Sequence, residues 1–398
     1  MTEATQLKQI ALFPGVEKER AEKTDTSSTF QDNLSLPIHR WFRYSAGFSA
    51  AWARQLIEEQ KRKGRERLLD PFAGSGTALL EGEESNFSAM GVEAHPFVAR
   101  IAQAKLFWRE DPEAFRAHAF AILEYAKGYQ GHPVEFPPLI EKCFPREVLT
   151  RLHSLRCAWL AAADDSPHSE LAWLALISIL RACSPVGTAQ WQYVLPKKTK
   201  ARSLDPYAAF QTKTWEISND MAIRQRLPLG PVAKIYQEDA RTCSSVPDGW
   251  ADLVITSPPY ANNYDYADAT RLEMTFMGEI EGWGDLQHAV RKYLVRSCTQ
   301  HVADLNGETY AILDDPLLEP IRGEITPVCE KLGLNTKPPA PLPESTKVAF
   351  SGTPTAVSIG IVASGSVART RNFNWVASAT DFGPIESSDQ RRLPRSGA

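Results

Sequence analysis

Long apolar runs are missing from this chain of 398 residues, and nothing in it approaches the ~20 consecutive apolar residues that a membrane-crossing helix needs. A membrane protein is therefore not expected, and a cytoplasmic one is. The opening residues Met1 to Lys8 are polar, without a basic start followed by an apolar stretch, so no cleaved export signal is expected. Cysteine is sparse and scattered. Cys143, Cys157, Cys183, Cys243, Cys298 and Cys329 form no C-x-x-C, which argues against a zinc ribbon and against a disulfide framework. The thiols are read as reduced and no metal is expected. A positive excess is also missing: 44 basic residues against 48 acidic ones leave a net charge of −4. Chains that coat nucleic acid are usually basic, because phosphate neutralisation drives their non-specific affinity. A nucleic-acid partner would have to be held by a local basic face.

The length exceeds the roughly 150 residues typical of one domain, so one elaborated domain or two are both allowed. Residues 1–36 are polar and rich in Thr, Ser, Glu and Lys, and read as a mobile arm. Aromatic and apolar residues then gather between Ile38 and Glu59, where Trp52 and Leu56 share a helical face and Ser49 is placed to cap its start. Residues 37–110 form a first unit. Residues 111–231 are mostly helical in pattern, with Leu171, Trp173, Leu174, Leu176, Ile177 and Leu180 in one stretch. The part from Gln190 to Lys234 mixes the cations from Lys197 to Arg226 with Trp191, Tyr193, Tyr207, Phe210 and Trp215, and is where a local basic face is expected. Strand-like runs return within 232–318, at Ala233 to Tyr236 and Leu253 to Thr256. Residues 319–398 read poorly as a packed core. Only Val357 to Val362 looks like a buried strand there, and the end from about Ile385 reads as a disordered tail.

Two glycine signatures are absent as well. The run Leu68 to Thr77 reads as a strand, a glycine turn at Gly74 and Gly76, and then a helix, yet Leu79 stands where a dinucleotide fingerprint needs its third glycine. No Gly-Lys-Ser/Thr follows, so a pyrophosphate ligand is disfavoured. The turn still brings bare backbone and a helix N-terminus together, which suits a ligand lying against the chain, although two glycines also suit a plain structural turn. Glu93 ends the next strand, about 20 residues beyond the loop, where a carboxylate can accept bonds from two ribose hydroxyls. Asp239 ends a further strand and could bond an adenine amino group; a turn or capping role is the plainer reading of an isolated Asp.

The run Asp252 to Tyr260 is the most specific. A buried strand stops at Ser257-Pro258-Pro259-Tyr260, and the two prolines fix φ and donate no N–H. Such a rigid loop suits transfer to an exocyclic base amine, whose lone pair is conjugated with the ring. A catalyst must accept bonds from its N–H groups and hold the nitrogen in line with the methyl donor. Ser257 Oγ and the Pro258 carbonyl are the candidate acceptors, and Tyr260 offers a face for stacking on a flipped base.

Asp70-Pro71-Phe72-Ala73-Gly74-Ser75-Gly76-Thr77 followed by Thr256-Ser257-Pro258-Pro259-Tyr260 resembles the paired signatures of S-adenosylmethionine-dependent DNA amino-methyltransferases, the N4-cytosine and N6-adenine enzymes. Ile38 to Tyr44 with Phe48-Ser49 is similar to the cofactor-binding element that precedes the glycine loop in members of this order. Gly91 to Pro96, Asn262 to Tyr266 and Thr270 to Glu273 look like family flanks. The resemblance implies an α/β fold, a seven-stranded Rossmann-like class I methyltransferase sheet, with a helical insertion between cofactor and catalytic motifs. It implies S-adenosylmethionine as cofactor, bound by Phe48, Asp70, Phe72, Gly74, Gly76, Thr77, Glu93 and Asp239. Catalysis would fall to Ser257, Pro258, Pro259 and Tyr260. Ser before the two prolines is more usual among N4-cytosine enzymes, so DNA is the expected partner and cytosine N4 the expected target. No Pro-Cys is present to suggest attack at C5.

The insertion is the natural place for target recognition. The fold also needs strands after the catalytic loop, for which Thr309 to Leu313 and Val357 to Val362 are the candidates. Two other readings stay open: an RNA base amino-methyltransferase, and a cofactor-binding or DNA-binding remnant that does not catalyse. Oligomeric state is not written in these residues.

Overall fold

A computed structural model describes residues 30–130, 135–186, 203–259, 264–295, 357–361 and 373–377. Tyr260, Lys197 to Arg202, the candidate strand Thr309 to Leu313 and the expected tail lie outside the described residues. The arm expected to reach Leu36 is ordered at its end. Phe30–Ser35 form a 3-10 turn, and the buried Asn33 amide donates to the Phe48 carbonyl (2.8 Å) while its carbonyl oxygen accepts from Ala50 N (2.8 Å).

The fold is α/β and Rossmann-like. β1 (Arg67–Asp70), β2 (Ser88–Val92), β3 (Lys234–Tyr236) and β4 (Leu253–Thr256) pair in parallel with β5 (Val357–Ile361) and β6 (Phe373–Ala377), in the order β3-β2-β1-β4-β5-β6. Strand β5 matches the expectation for Val357 to Val362; β6 was not anticipated. The order reverses between β1 and β4, and ligands of open parallel sheets lie at the carboxyl ends of the strands beside such a switch point. Both signature loops leave the sheet there, one after Asp70 and the other after Thr256.

Helix α1 (Ala50–Arg62) starts where Ser49 accepts from Trp52 N (3.3 Å), as the spacing suggested. Helices α2 (Thr77–Glu84) and α3 (Pro96–Leu106) follow β1 and β2. Gly91 of β2 is demanded by packing, because a Cβ there would come within 2.9 Å of both Ala73 and Leu79.

The insertion supplies α4 (Pro112–Gly128), α5 (Pro138–Cys143), α6 (Arg146–Ala162), α7 (Pro167–Cys183) and α8 (Pro206–Arg224). Asp111, Ser166 and Asp205 cap α4, α7 and α8, each followed by a proline at the first helical position, where the missing N–H costs nothing. The apolar stretch expected from Leu171 to Leu180 is buried in α7. The insertion packs on the sheet layer: Trp173 meets Phe97 of α3 edge to face at 5.1 Å, and the Arg100 guanidinium lies 4.1 Å from the Trp173 ring centre. After β4 come α9 (Arg271–Met277) and the short α10 (Leu286–Ala289). Among the described residues no helix is long and apolar enough to cross a membrane, and no three His, Cys, Asp or Glu side chains could hold a metal ion.

Candidate functional site

At the carboxyl ends of β1, β2, β3 and β4 lies a pocket open to solvent. It draws its walls from both signatures. Phe72 and Gly74 come from the loop after β1, Glu93 from the end of β2, Asp239 from beyond β3, and Ser257 and Pro259 from the loop after β4. These six sequence-selected residues are thus brought together. Phe48, Asp70, Gly76, Thr77 and Pro258 do not line this pocket. Phe48 packs edge to face on Trp52 at 5.8 Å, and Thr77 lines a second cavity on the other flank of the glycine loop.

The glycine loop is shaped by positive φ values, +53° at Gly74 and +85° at Gly76, which favour glycine. Gly74 has a second reason, since a Cβ there would stand 3.3 Å from the Tyr44 ring. Gly74 N donates to Glu93 Oε2 and His95 N donates to Glu93 Oε1, both at 2.8 Å. The loop and the acid therefore set each other's position. Each carboxylate oxygen retains acceptor capacity toward the pocket that Glu93 lines. Burial pushes the Glu93 carboxyl up to about 7, against the backbone donors of His95, Gly74 and Ala94, which favour its charged form.

Asp70 lies beneath the pocket, fully buried. Its Oδ1 accepts from Thr256 Oγ1 (2.7 Å) and from Phe72 N (3.1 Å), so it ties the ends of β1 and β4 together. Its Oδ2 has no hydrogen-bond partner, and burial pushes this carboxyl up to about 7. Asp239 is held by Arg241, which donates from Nε at 3.0 and 2.9 Å and from Nη2 at 2.6 Å.

Several pocket residues were not singled out as site residues from the sequence. Tyr44, His95 and Tyr266 stood only within the flanking segments of the resemblance, and Tyr293, Leu294 and Val295 not at all; all six line the pocket. His95 Nε2 lies 3.0 Å from Thr270 Oγ1, and burial drives its imidazole down to about 3, so the ring is neutral. Tyr264 OH lies 3.3 Å from Ser45 Oγ and meets the Tyr266 ring edge to face at 4.6 Å. The segment after the catalytic loop is further fixed by Arg181 of α7, which donates to Glu273 at 2.6 and 2.8 Å and to the Ala269 carbonyl at 3.0 Å. A cation facing a buried carboxylate 92 residues away leaves no local signal in a single sequence.

Of the stretch from Lys197 to Arg226, the residues up to Arg202 lie outside the described residues, and two of the described cations are taken up internally. Arg224 is buried with its guanidinium 4.8 Å from the Trp108 ring centre, and Lys213 pairs with Glu216 at 2.5 Å. Helix α8 has to bury one side against α4 and α7, and the cation on that side is enclosed with it.

No family model matches the chain. M.AvaI of Nostoc sp., a type II methyltransferase, is 27% identical over 277 residues, which are 63% of this chain and 56% of that protein. The chain is similar to type II methyltransferases. M.BsoBI of Geobacillus stearothermophilus is 27% identical over 290 residues, 65% of this chain and 57% of its own length, and M.MvaI of Kocuria varians 25% over 244 residues, 56% and 53%. The chain spans about half the length of these curated relatives.

Proposed function

We propose that the protein is a site-specific DNA methyltransferase that transfers a methyl group from S-adenosylmethionine to an exocyclic amino group of a flipped base, cytosine N4 by preference. The observation that carries this reading is the single pocket lined jointly by the glycine loop, Glu93, Asp239 and the Ser257-Pro259 turn, in a chain similar to type II methyltransferases. A restriction-modification role accords with those relatives.

The residues fit the cofactor. Gly74 leaves room that a Cβ would take toward Tyr44, Glu93 has acceptor capacity for a ribose diol, and Asp239, which lines the same pocket, is assigned the adenine amino group. When bound, S-adenosylmethionine supplies an electrophilic methyl group on a sulfonium. Ser257 Oγ and the Pro258 carbonyl are the acceptors that take the amine's N–H groups, leaving its lone pair free to point at the methyl group as the thioether leaves with the old bond pair. The paired prolines keep that carbonyl from swinging away. Thr256 and Asp70 hold the loop at the sheet edge, at a fixed distance from the glycine turn. Tyr260 is assigned by its place in the motif to stack on the extruded base, whose displacement costs a few kcal/mol.

Substitution of Ser257 tests the assignment. Ser257→Ala is expected to lower labelled-methyl incorporation into duplex DNA by roughly 100-fold, with cofactor binding kept, and Tyr260→Ala to lower it as well. Unchanged transfer in both variants would refute the role given to the loop. Incorporation into structured RNA in place of DNA would move the substrate to the other nucleic acid.

A further inference from the structure

Beside the main pocket lies a second, smaller cavity in which Tyr44 is again a wall. Ser75 and Thr77 line it, directly following Gly74 of the first pocket, so a ligand that crosses the glycine loop has one end in each space. The third contributor is Lys105. A Cβ on Gly76 would lie 3.3 Å from Ala102, which shows how closely α3 crosses the start of α2. Lys105 is three residues beyond Ala102 on the same face of α3, and this brings its amine to the cavity.

Lys105 is only 2% exposed, and its Nζ donates to the His39 carbonyl at 3.2 Å. An ammonium has three donors, so that bond leaves two. Buried lysines normally have an acid partner. Here burial pulls the amine down to about 7 and Lys213 adds repulsion, while no acid among the described residues offsets either effect. Helix α2 begins at Thr77, and the leading N–H groups of a helix lack intrahelical partners. A buried amine with spare donors, which an arriving anion would hold as ammonium, and a helix N-terminus share one small cavity and form a site for a compact anion.

We propose that this cavity receives the α-carboxylate of the cofactor's methionyl group and that Lys105 is the positioning residue that recognises it. The inference rests on the reading of the adjoining pocket as an S-adenosylmethionine site. A backbone phosphate of DNA is the other anion at hand, but Lys105 is enclosed and the cavity adjoins the cofactor pocket through one loop. The carboxylate also supplies the counter-charge that Lys105 lacks, and its arrival favours the ammonium form.

The test compares three ligands by calorimetry: S-adenosylmethionine, its decarboxylated analogue, and 5′-methylthioadenosine, which lacks the whole amino-acid part. The wild-type chain is expected to prefer S-adenosylmethionine over the decarboxylated analogue by roughly tenfold or more. Lys105→Met is expected to abolish that preference while leaving 5′-methylthioadenosine within about twofold, which also shows that the variant is folded. Absence of the preference in the wild type overturns the inference without any variant. Equal weakening of all three ligands in Lys105→Met would make the lysine merely structural, and unchanged selectivity would remove it from the site. A wild-type chain that binds none of the three overturns the cofactor reading itself.

Discussion

Asp70 carries a consequence that can be measured apart from catalysis. Its buried carboxyl is raised to about 7 from 3.8 because desolvation outweighs the bonds from Thr256 and Phe72. Between those pH values the folded chain keeps a proton that the unfolded chain has released. The stability this group contributes is therefore greatest at low pH and is lost as pH rises toward 7. Asp70→Asn retains Oδ1 as acceptor for both donors and places a neutral amide where Oδ2 now has no partner. Urea denaturation at pH 5 and pH 8 is expected to show the variant gaining on the wild type by at least about 1 kcal/mol at the higher pH. A constant difference across that range would mean that the carboxyl is not held protonated. Asp70 was legible in the sequence as part of the glycine signature, but its position beneath the pocket was not. That depends on Thr256, which is 186 residues away and reaches Asp70 only once β1 and β4 pair.

At the scale of elements, the insertion and the segment before the glycine loop are tied by one fully buried carboxylate. Asp220 of α8 accepts from Ile38 N (3.3 Å), Arg40 Nε (3.0 Å), Arg40 Nη2 (2.5 Å) and Trp41 Nε1 (2.9 Å). The backbone that leads to Tyr44, a wall of both cavities, is thereby anchored from the insertion. Asp220→Ala leaves these donors unsatisfied and is expected to cost about 3 kcal/mol in chemical denaturation. A loss below about 1 kcal/mol would show that water replaces the carboxylate readily. The elements themselves were readable where local chemistry decides them. Ser49 starts α1, the apolar run from Leu171 is a buried helix, and the strand Leu253 to Thr256 stops at two prolines. Their mutual placement was not readable, because it is set by ion pairs to buried carboxylates, such as Arg181 with Glu273 and Arg40 with Asp220, which join distant parts of the chain. Arg224, counted with the basic stretch from its sequence alone, is enclosed by the helix that carries it, a burial that depends on packing between distant elements.

At the scale of the whole molecule, the Rossmann-like sheet follows from a strand order that reverses beside β1, and the two signatures meet because both leave the sheet at that switch point. The sheet class and the central pocket were legible because each signature carries its own strand, turn and spacing. Strand β6 was not, since Phe373 to Ala377 sits in a stretch whose composition resembles linker. The net charge of −4 argues against a chain that grips nucleic acid over its whole surface. The central claim is that this pocket methylates an exocyclic amine of DNA. It is tested most directly by incubating the purified chain with labelled S-adenosylmethionine and duplex DNA, digesting the DNA to nucleosides and separating them. The account predicts label in N4-methylcytosine, lost with Ser257→Ala; an unlabelled DNA fraction, or label only in 5-methylcytosine or in RNA, would contradict it.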